Sequence, residues 1–544
     1  MNKKISLLLL ILATVASVSL MAKKQVLKSN KDTITLLVDG EEAEGGWTIE
    51  PTLNPDVFRT MAKDIVFASD IDTLKISLEK LQSKSFQIVN ARGDTANVKV
   101  IRISENPYEE PDSDLIRVSP TGLLSREQAA FDIKALIYNL NEIHPDIFSV
   151  CRQEDLLNAV NRAINSLPDS ISKLDLYRKA APIVAMIGDG HTNLGFPFND
   201  VLTKDLKRFP VFVNVLSDKS IICTSCIDSI IKRGDKILSI NGISSEKIID
   251  SMLPYVSGER EHFKLSRIDG AFNGLRQMLY PADSFEVEYL PAGSDKPKKV
   301  NLPGTQWDDL IKRVPKSKRS HNIKDYSFEI DTTNNVAIMD FRSFVNPSKM
   351  EVFADSMFRT LKEKRINNLI IDIRNNGGGN SYVGDILLRY ISPEPFVQME
   401  KMLMKVTPVS SKLMNYRILP TLDFYETSEK NYIKPRTKEE GHFIGNVYLL
   451  TSNKTFSSAG SFAWTFKECK TGIVIGEETG GMNVCYGDIL RYRMPVSGLN
   501  CTVSFKRFWQ LRADENDIHG TLPDIAVPAS EALNSAINHI KTNK

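Results

Sequence analysis

Leu369-Ile-Ile-Asp-Ile-Arg-Asn-Asn-Gly-Gly-Gly379 is the stretch that decides the fold. Its apolar run has no polar alternation, so it reads as a strand buried on both faces, the kind found in parallel sheets. It breaks into three glycines, and Val383 to Ile391 follows as a helix candidate. The same order recurs downstream. Asn446-Val-Tyr-Leu-Leu-Thr451 is a second buried strand, and a turn then feeds a helix from about Ser458 to Glu468. Gly472-Ile-Val-Ile-Gly476 is a third strand, ending in Glu477-Glu-Thr-Gly-Gly481. Strands alternating with helices predict an α/β domain over residues 326–530.

Upstream of this core the pattern changes three times. Residues 305–325 are basic and irregular and read as a linker. Residues 205–300 read as short strands and turns around Ile231-Lys-Arg-Gly-Asp-Lys-Ile-Leu-Ser-Ile-Asn-Gly242. Residues 123–200 read as helices. Ser125 is the candidate N-cap of the first, and Phe131, Leu136, Ile137 and Leu140 approximate one helical face. Pro145, Pro168 and Pro182 mark breaks or helix starts, and the segment closes on Gly188-Asp-Gly-His-Thr192. Residues 23–115 look β-rich, with strands expected at Thr33–Asp39, Phe86–Val89 and Val98–Ile103 and a helical insert over Asp70–Gln82.

The first 22 residues read as an export signal. Lys3 and Lys4 precede an apolar run from Ile5 to Leu20, and small residues follow. At 16 residues the run is short for a bilayer, which takes about 20. The expected protein is therefore exported, periplasmic or extracellular, with no stable membrane span once the signal is cut. Its 544 residues are enough for three or four domains. Lys+Arg total 69 against 67 for Asp+Glu, a near-balance that argues against a nucleic-acid surface. Cys223 and Cys226 form a C-x-x-C, but no second pair or nearby histidine completes a zinc set, so structural cysteines are expected and no metal. No Walker pattern accompanies the glycines, and no cofactor is expected.

Four segments carry chemistry. Ser458 opens a helix, where unpaired N–H groups and the dipole favour negative charge. Ala459 and Gly460 beside it leave room for a substrate carbonyl; the same serines also read as plain helix caps. Gly377 and Gly378 let the main chain approach a ligand, and their N–H groups, with that of Ala459, suit an oxyanion hole. His191 sits among glycines, and imidazole titrates near neutrality, as a general base must. Asp517 and Glu515 could orient and stabilise such an imidazole, with His519 a rival base in the same loop.

In combination these segments resemble the S41 serine peptidases, the family of C-terminal processing proteases and tricorn protease. The resemblance runs from about Leu123 to Val527. It is carried in order by Gly188-Asp-Gly-His-Thr192, Ile231–Gly242, Asp372-Ile-Arg-Asn-Asn-Gly-Gly378, Phe456–Ser461 with Ile475–Gly481, and Gly520-Thr-Leu-Pro-Asp524. It implies a crotonase-like catalytic core, a helical domain carrying His191, a PDZ-like domain at 205–300, and hydrolysis of peptide bonds near the C-termini of polypeptides. Ser458 falls at the nucleophile position. Processing proteases place a lysine base 25 residues further on, and that residue here is Asn483. The resemblance is therefore to the histidine-type members, with His191 as base, Asp517 or Glu515 as acidic partner, and Gly190 where tricorn has a serine. The PDZ-like segment implies binding of an extended peptide, with Lys232, Arg233 and Gly234 at its carboxylate. The alternative is a non-catalytic peptide- or lipophile-binding protein on the same fold.

Overall fold

A computed structural model describes residues 122–201, 206–306, 324–414, 424–429 and 431–542, seven strands between residues 24 and 102, and single positions at 108, 115, 116 and 309. The export signal and most of the 305–325 linker lie outside the described residues. The chain divides into two compact units. One comprises residues 1–200, 403–426 and 486–507, the other residues 201–402, 427–485 and 508–544. Among the described residues no helix is long and apolar enough to cross a membrane.

In the first unit, the leading strands form one four-stranded and one three-stranded sheet. The expected strands appear at Ile34–Asp39, Ser85–Val89 and Thr95–Arg102. The helical insert over Asp70–Gln82 does not hold: Thr73–Ser77 is a strand paired with Asp64–Ser69. Thr73-Leu-Lys-Ile-Ser alternates polar and apolar residues, a period that suits a strand, and the pairing with Asp64–Ser69 decides it. Three helices follow: α1 (Arg126–Ile143), α2 (Gln153–Asn165) and α3 (Lys173–Ala185). Ser125 caps α1 in a reciprocal capping box with Gln128. Pro182 lies inside α3, near its end, rather than at a break. A short strand β1 (Asn193–Leu194) leads out of the segment that holds His191.

The second unit opens with β2 (Val211–Val215), β3 (Ile221–Cys226) and β4 (Lys236–Ile240). It continues through α4 (Ser245–Met252), α5 (Glu261–Leu279), β5 (Ser284–Leu290) and β6 (Lys298–Pro303). The antiparallel sheet order is β2-β3-β4-β5-β6. Strands and turns alone were expected here; two helices, one of 19 residues, correct that. α5 hides from periodicity because Gly270, Gly274, Arg276 and Gln277 interrupt its apolar positions. Cys223 and Cys226 are both free thiols on β3. Burial pushes the Cys223 thiol up to about 12, so it is an inert, neutral packing group.

The core of the second unit is a six-stranded sheet. It begins with β7 (Tyr326–Asp331), β8 (Val336–Phe341), α6 (Pro347–Glu363), β9 (Asn368–Asp372) and α7 (Tyr382–Ile391). A second sheet, whose residues belong mostly to the first unit, takes β10 (Met399–Lys405) and β11 (Phe424–Ser428). The core resumes with β12 (Asn446–Thr451), α9 (Ser458–Glu468) after the short α8 (Pro408–Leu413), and β13 (Ile473–Gly476). The second sheet also takes β14 (Val484–Arg493) and β15 (Asn500–Gln510), and the chain ends with β16 (Ile525–Ala526) and α10 (Ala532–Thr542). The core order is β7-β8-β9-β12-β13-β16, parallel from β8 onward. Leu369, Ile371, Val447 and Leu449 pack with α6, α7 and α9, whereas Ile370, Tyr448 and Leu450 pack with α10. Burial on both faces is what made these strands read as unbroken apolar runs.

Candidate active site

β9 and β12 are parallel neighbours, so the loops leaving their carboxyl ends emerge side by side, where open α/β sheets place their sites. Those loops are Arg374–Asn380 and Ser452–Ser457. They are stitched together directly. Thr455 Oγ1 donates to Ile373 O (2.9 Å), Phe456 N to Asn376 O (3.2 Å) and Ser452 Oγ to Arg374 O. Arg374 itself forms a fork with Asp372 (2.6–2.9 Å), which assigns that pair to framing the loop.

Ser458 occupies the first turn of α9. Ser457 before it has φ 55° and ψ −132°, and its side chain makes no cap bond. The plain capping alternative is thus not what the local structure uses. Ser458 is 6% exposed. Its Oγ donates to Gly379 O (2.6 Å) and lies 3.0 Å from Ser381 Oγ. Ser381 was not singled out in the sequence; only the pairing of two loops puts it there. Gly378, at φ +96°, runs so close to the serine that a Cβ would stand 2.8 Å from Ser458 N and Phe456 O. Gly377 has open space around it. Two of the candidate oxyanion donors are in use: Gly378 N–H donates to Asn376 Oδ1 (2.9 Å) and Ala459 N–H to Phe456 O (3.1 Å).

A contrast follows from this packing. Gly378→Ala should destabilise the fold by about 2–3 kcal/mol, from a strained φ and a steric clash. Gly377→Ala should stay within about 0.5 kcal/mol. Urea unfolding of the two variants checks this; equal losses would refute the close approach at Gly378.

Helix α5 docks on the nucleophile loop. Phe263 stacks on Phe456 with ring centres 4.2 Å apart, and Ser266 Oγ donates to Asn453 O. Asp269 pairs with Lys454 (2.5 Å) and also accepts Val215 N–H, while Asn273 Nδ2 donates to Val211 O. The outer edge of β2 is therefore engaged by α5 side chains. Lys232, Arg233 and Gly234 form an exposed turn closed by buried Asp235, which accepts from Lys232 N (2.8 Å) and Ala292 N (2.9 Å). Gly234 N–H donates to Cys223 O.

Asn483, which stands where processing proteases carry lysine, is fully buried. Its Nδ2 donates to Asp517 O (2.6 Å) and its Oδ1 accepts Asp514 N–H (3.0 Å). It braces the acidic loop from within. Asp517 is half-buried, and its Oδ1 accepts His519 N–H (2.9 Å). Glu515 is exposed and accepts from Trp509 Nε1 (2.8 Å). His519 Nδ1 faces Arg260 (2.6 Å) and Glu478 (3.1 Å). Asn483→Ala should cost about 1–2 kcal/mol, because the two hydrogen bonds that this buried amide makes to the acidic loop are lost. It should also raise amide exchange over residues 514–519; unchanged exchange there would remove Asn483's bracing role.

His191 belongs to the first unit, whereas Ser458, Gly377, Gly378, Ala459, Asp517 and Glu515 belong to the second. Its carbonyl accepts from Thr502 Oγ1 (2.8 Å), and its N–H donates to Asp189 Oδ1 (2.9 Å). Thr192 Oγ1, next along, accepts Ser504 N–H (3.0 Å).

Residues 335–527 match the family model described as peptidase family S41. Among solved structures, the chain is similar to mature CPAF at 14% identity, over 76% of this chain and 96% of that one, with a TM-score of 0.56. It is similar also to mature CPAF complexed with lactacystin, at 13% identity, over 77% and 97%, with a TM-score of 0.54. At these identities the likeness to CPAF is one of fold.

Proposed function

We propose, from the match of residues 335–527 to peptidase family S41, that this chain is a serine endopeptidase of exported polypeptides, cutting near their C-termini. Ser458 is the nucleophile and His191 the base. The imidazole takes the Ser458 proton as Oγ attacks the peptide carbonyl, then gives it to the leaving amine; water hydrolyses the acyl-enzyme. Ala459 N–H and Gly377 or Gly378 N–H hold the oxyanion, and Asp517 or Glu515 stabilises the imidazolium. The engaged N–H groups of Gly378 and Ala459 turn from their internal acceptors to the developing charge. Lys232, Arg233 and Gly234 take the polypeptide's end on the PDZ-like domain.

The observation that carries this reading is Ser458 in the first turn of α9, with Gly378 packed against its backbone too closely for any side chain. The test is mass-spectrometric digestion of an unstructured protein library by residues 23–544 and by its Ser458→Ala form. Cleavage by the wild type alone, clustered near C-termini, supports it; equal cleavage by both rejects the nucleophile. Buried Asn483, in place of a lysine, favours a second reading, a non-catalytic binding protein. A fluorophosphonate probe that fails to label Ser458 in folded protein would support that alternative.

A further inference from the structure

We propose that Asp189, aimed by His144, and not Asp517 or Glu515, is the carboxylate that positions His191; this rests on His191 acting as the base. Asp189 is fully buried in the first unit. Its Oδ1 accepts the His191 backbone N–H and lies 3.7 Å from His191 Nδ1. Its Oδ2 accepts from Thr192 Oγ1 and lies 3.3 Å from His144 Nε2. At 3.7 Å, Asp189 Oδ1 and His191 Nδ1 stand at ion-pair distance once the ring is protonated.

The tautomer of His144 fixes what Asp189 can do. His144 Nδ1 accepts the Asp146 N–H at 3.1 Å, so it carries no proton. The ring hydrogen therefore sits on Nε2, pointing at Asp189. A neutral His144 donates to the carboxylate without cancelling its charge. Among the described residues no lysine or arginine pairs with Asp189. Cys501 faces it too, but burial first and the Asp189 charge second push that thiol up, so it stays neutral. Burial would raise Asp189 itself, yet the His144 and His191 imidazoles outweigh that and hold its carboxyl well below the usual range. The result is a buried anion whose charge is met when His191 gains a proton.

The frame around the pair is hydrogen-bonded on several sides. His144 is the C-cap of α1, and its ring lies 4.4 Å from that of Tyr486. The last carbonyls of α1, Asn141 O and Glu142 O, accept from buried Lys405 Nζ and from Thr407 Oγ1. Thr502 and Ser504 hold residues 191 and 192 from the other side. Asp189 thus presents Nδ1–H of His191 with an acceptor and leaves Nε2 for the serine proton, the arrangement that fixes a useful tautomer.

The experiment compares pH–rate profiles of full-length wild type, Asp189→Asn and His144→Phe on a fluorogenic peptide, with His191→Ala as control. Asp189→Asn should lower kcat by about a hundredfold with KM within about threefold, and move the acid limb to lower pH. His144→Phe leaves Asp189 with one donor fewer, so its acid limb should move to higher pH. Opposite shifts support the proposal, since a purely structural role would move both variants alike. Unshifted limbs, or wild-type kcat in Asp189→Asn, overturn it. If Asp189→Asn fails to fold, the direction of the His144→Phe shift decides. Retained activity in His191→Ala would instead overturn the underlying assignment of the base.

Discussion

Ser458→Ala is expected to leave the fold intact and to lower kcat on an unstructured polypeptide by about 10⁵- to 10⁶-fold, the usual cost of removing a serine nucleophile. The fold should survive because the hydroxyl contributes only its bond to Gly379 O and a contact with Ser381. Ala459 and Gly460 already show that this turn of α9 accepts small side chains. KM should change little, since the backbone around Ser458 remains. Steady-state kinetics with matched circular dichroism measure both. A fall below tenfold would eliminate Ser458 as nucleophile, and Ser381, 3.0 Å away, would be the next hydroxyl to substitute.

His191→Ala carries the second largest expected effect, a loss of about 10⁴-fold or more in kcat, because the serine then has no group to take its proton. Added imidazole should restore part of the lost rate in this variant and in no other. Activity of the wild type should rise with pH through the acid range, since only the unprotonated ring accepts a proton. A histidine variant that keeps its rate, or that imidazole does not rescue while Ser458 still reacts with a fluorophosphonate, would move the base elsewhere. His519 is the ring to substitute next, although its Nδ1 already faces Arg260 and Glu478.

Much of the core was legible because parallel strands buried on both faces leave a strong trace. Asn446–Thr451 and the helix Ser458–Glu468 stand where the apolar runs put them. The N-cap at Ser125 was legible for a local reason, since a serine just before an apolar periodic run satisfies the helix's first free N–H groups; its reciprocal partner Gln128 was not read. α5 was not legible. Its apolar face is broken by glycines and by buried Arg276 and Gln277, which only tertiary partners make tolerable. Thr73–Ser77 was misread as helix because a short alternating segment is decided by its strand partner. Asn483 was legible as a missing lysine, but not as the brace of the acidic loop.

The sequence by itself determined the α/β order, the glycine turn after one buried strand and the serine after the next. These are local properties, set by burial periodicity and by which residues tolerate a tight turn. Tertiary structure decided what those pieces touch. It set the close approach of Gly378 to Ser458, the clamp of α5 on Phe456, and the tautomer of His144 that leaves Asp189 charged beneath His191. Such contacts join residues far apart in the chain, and their strength depends on distance, burial and proton position, none of which a linear sequence encodes.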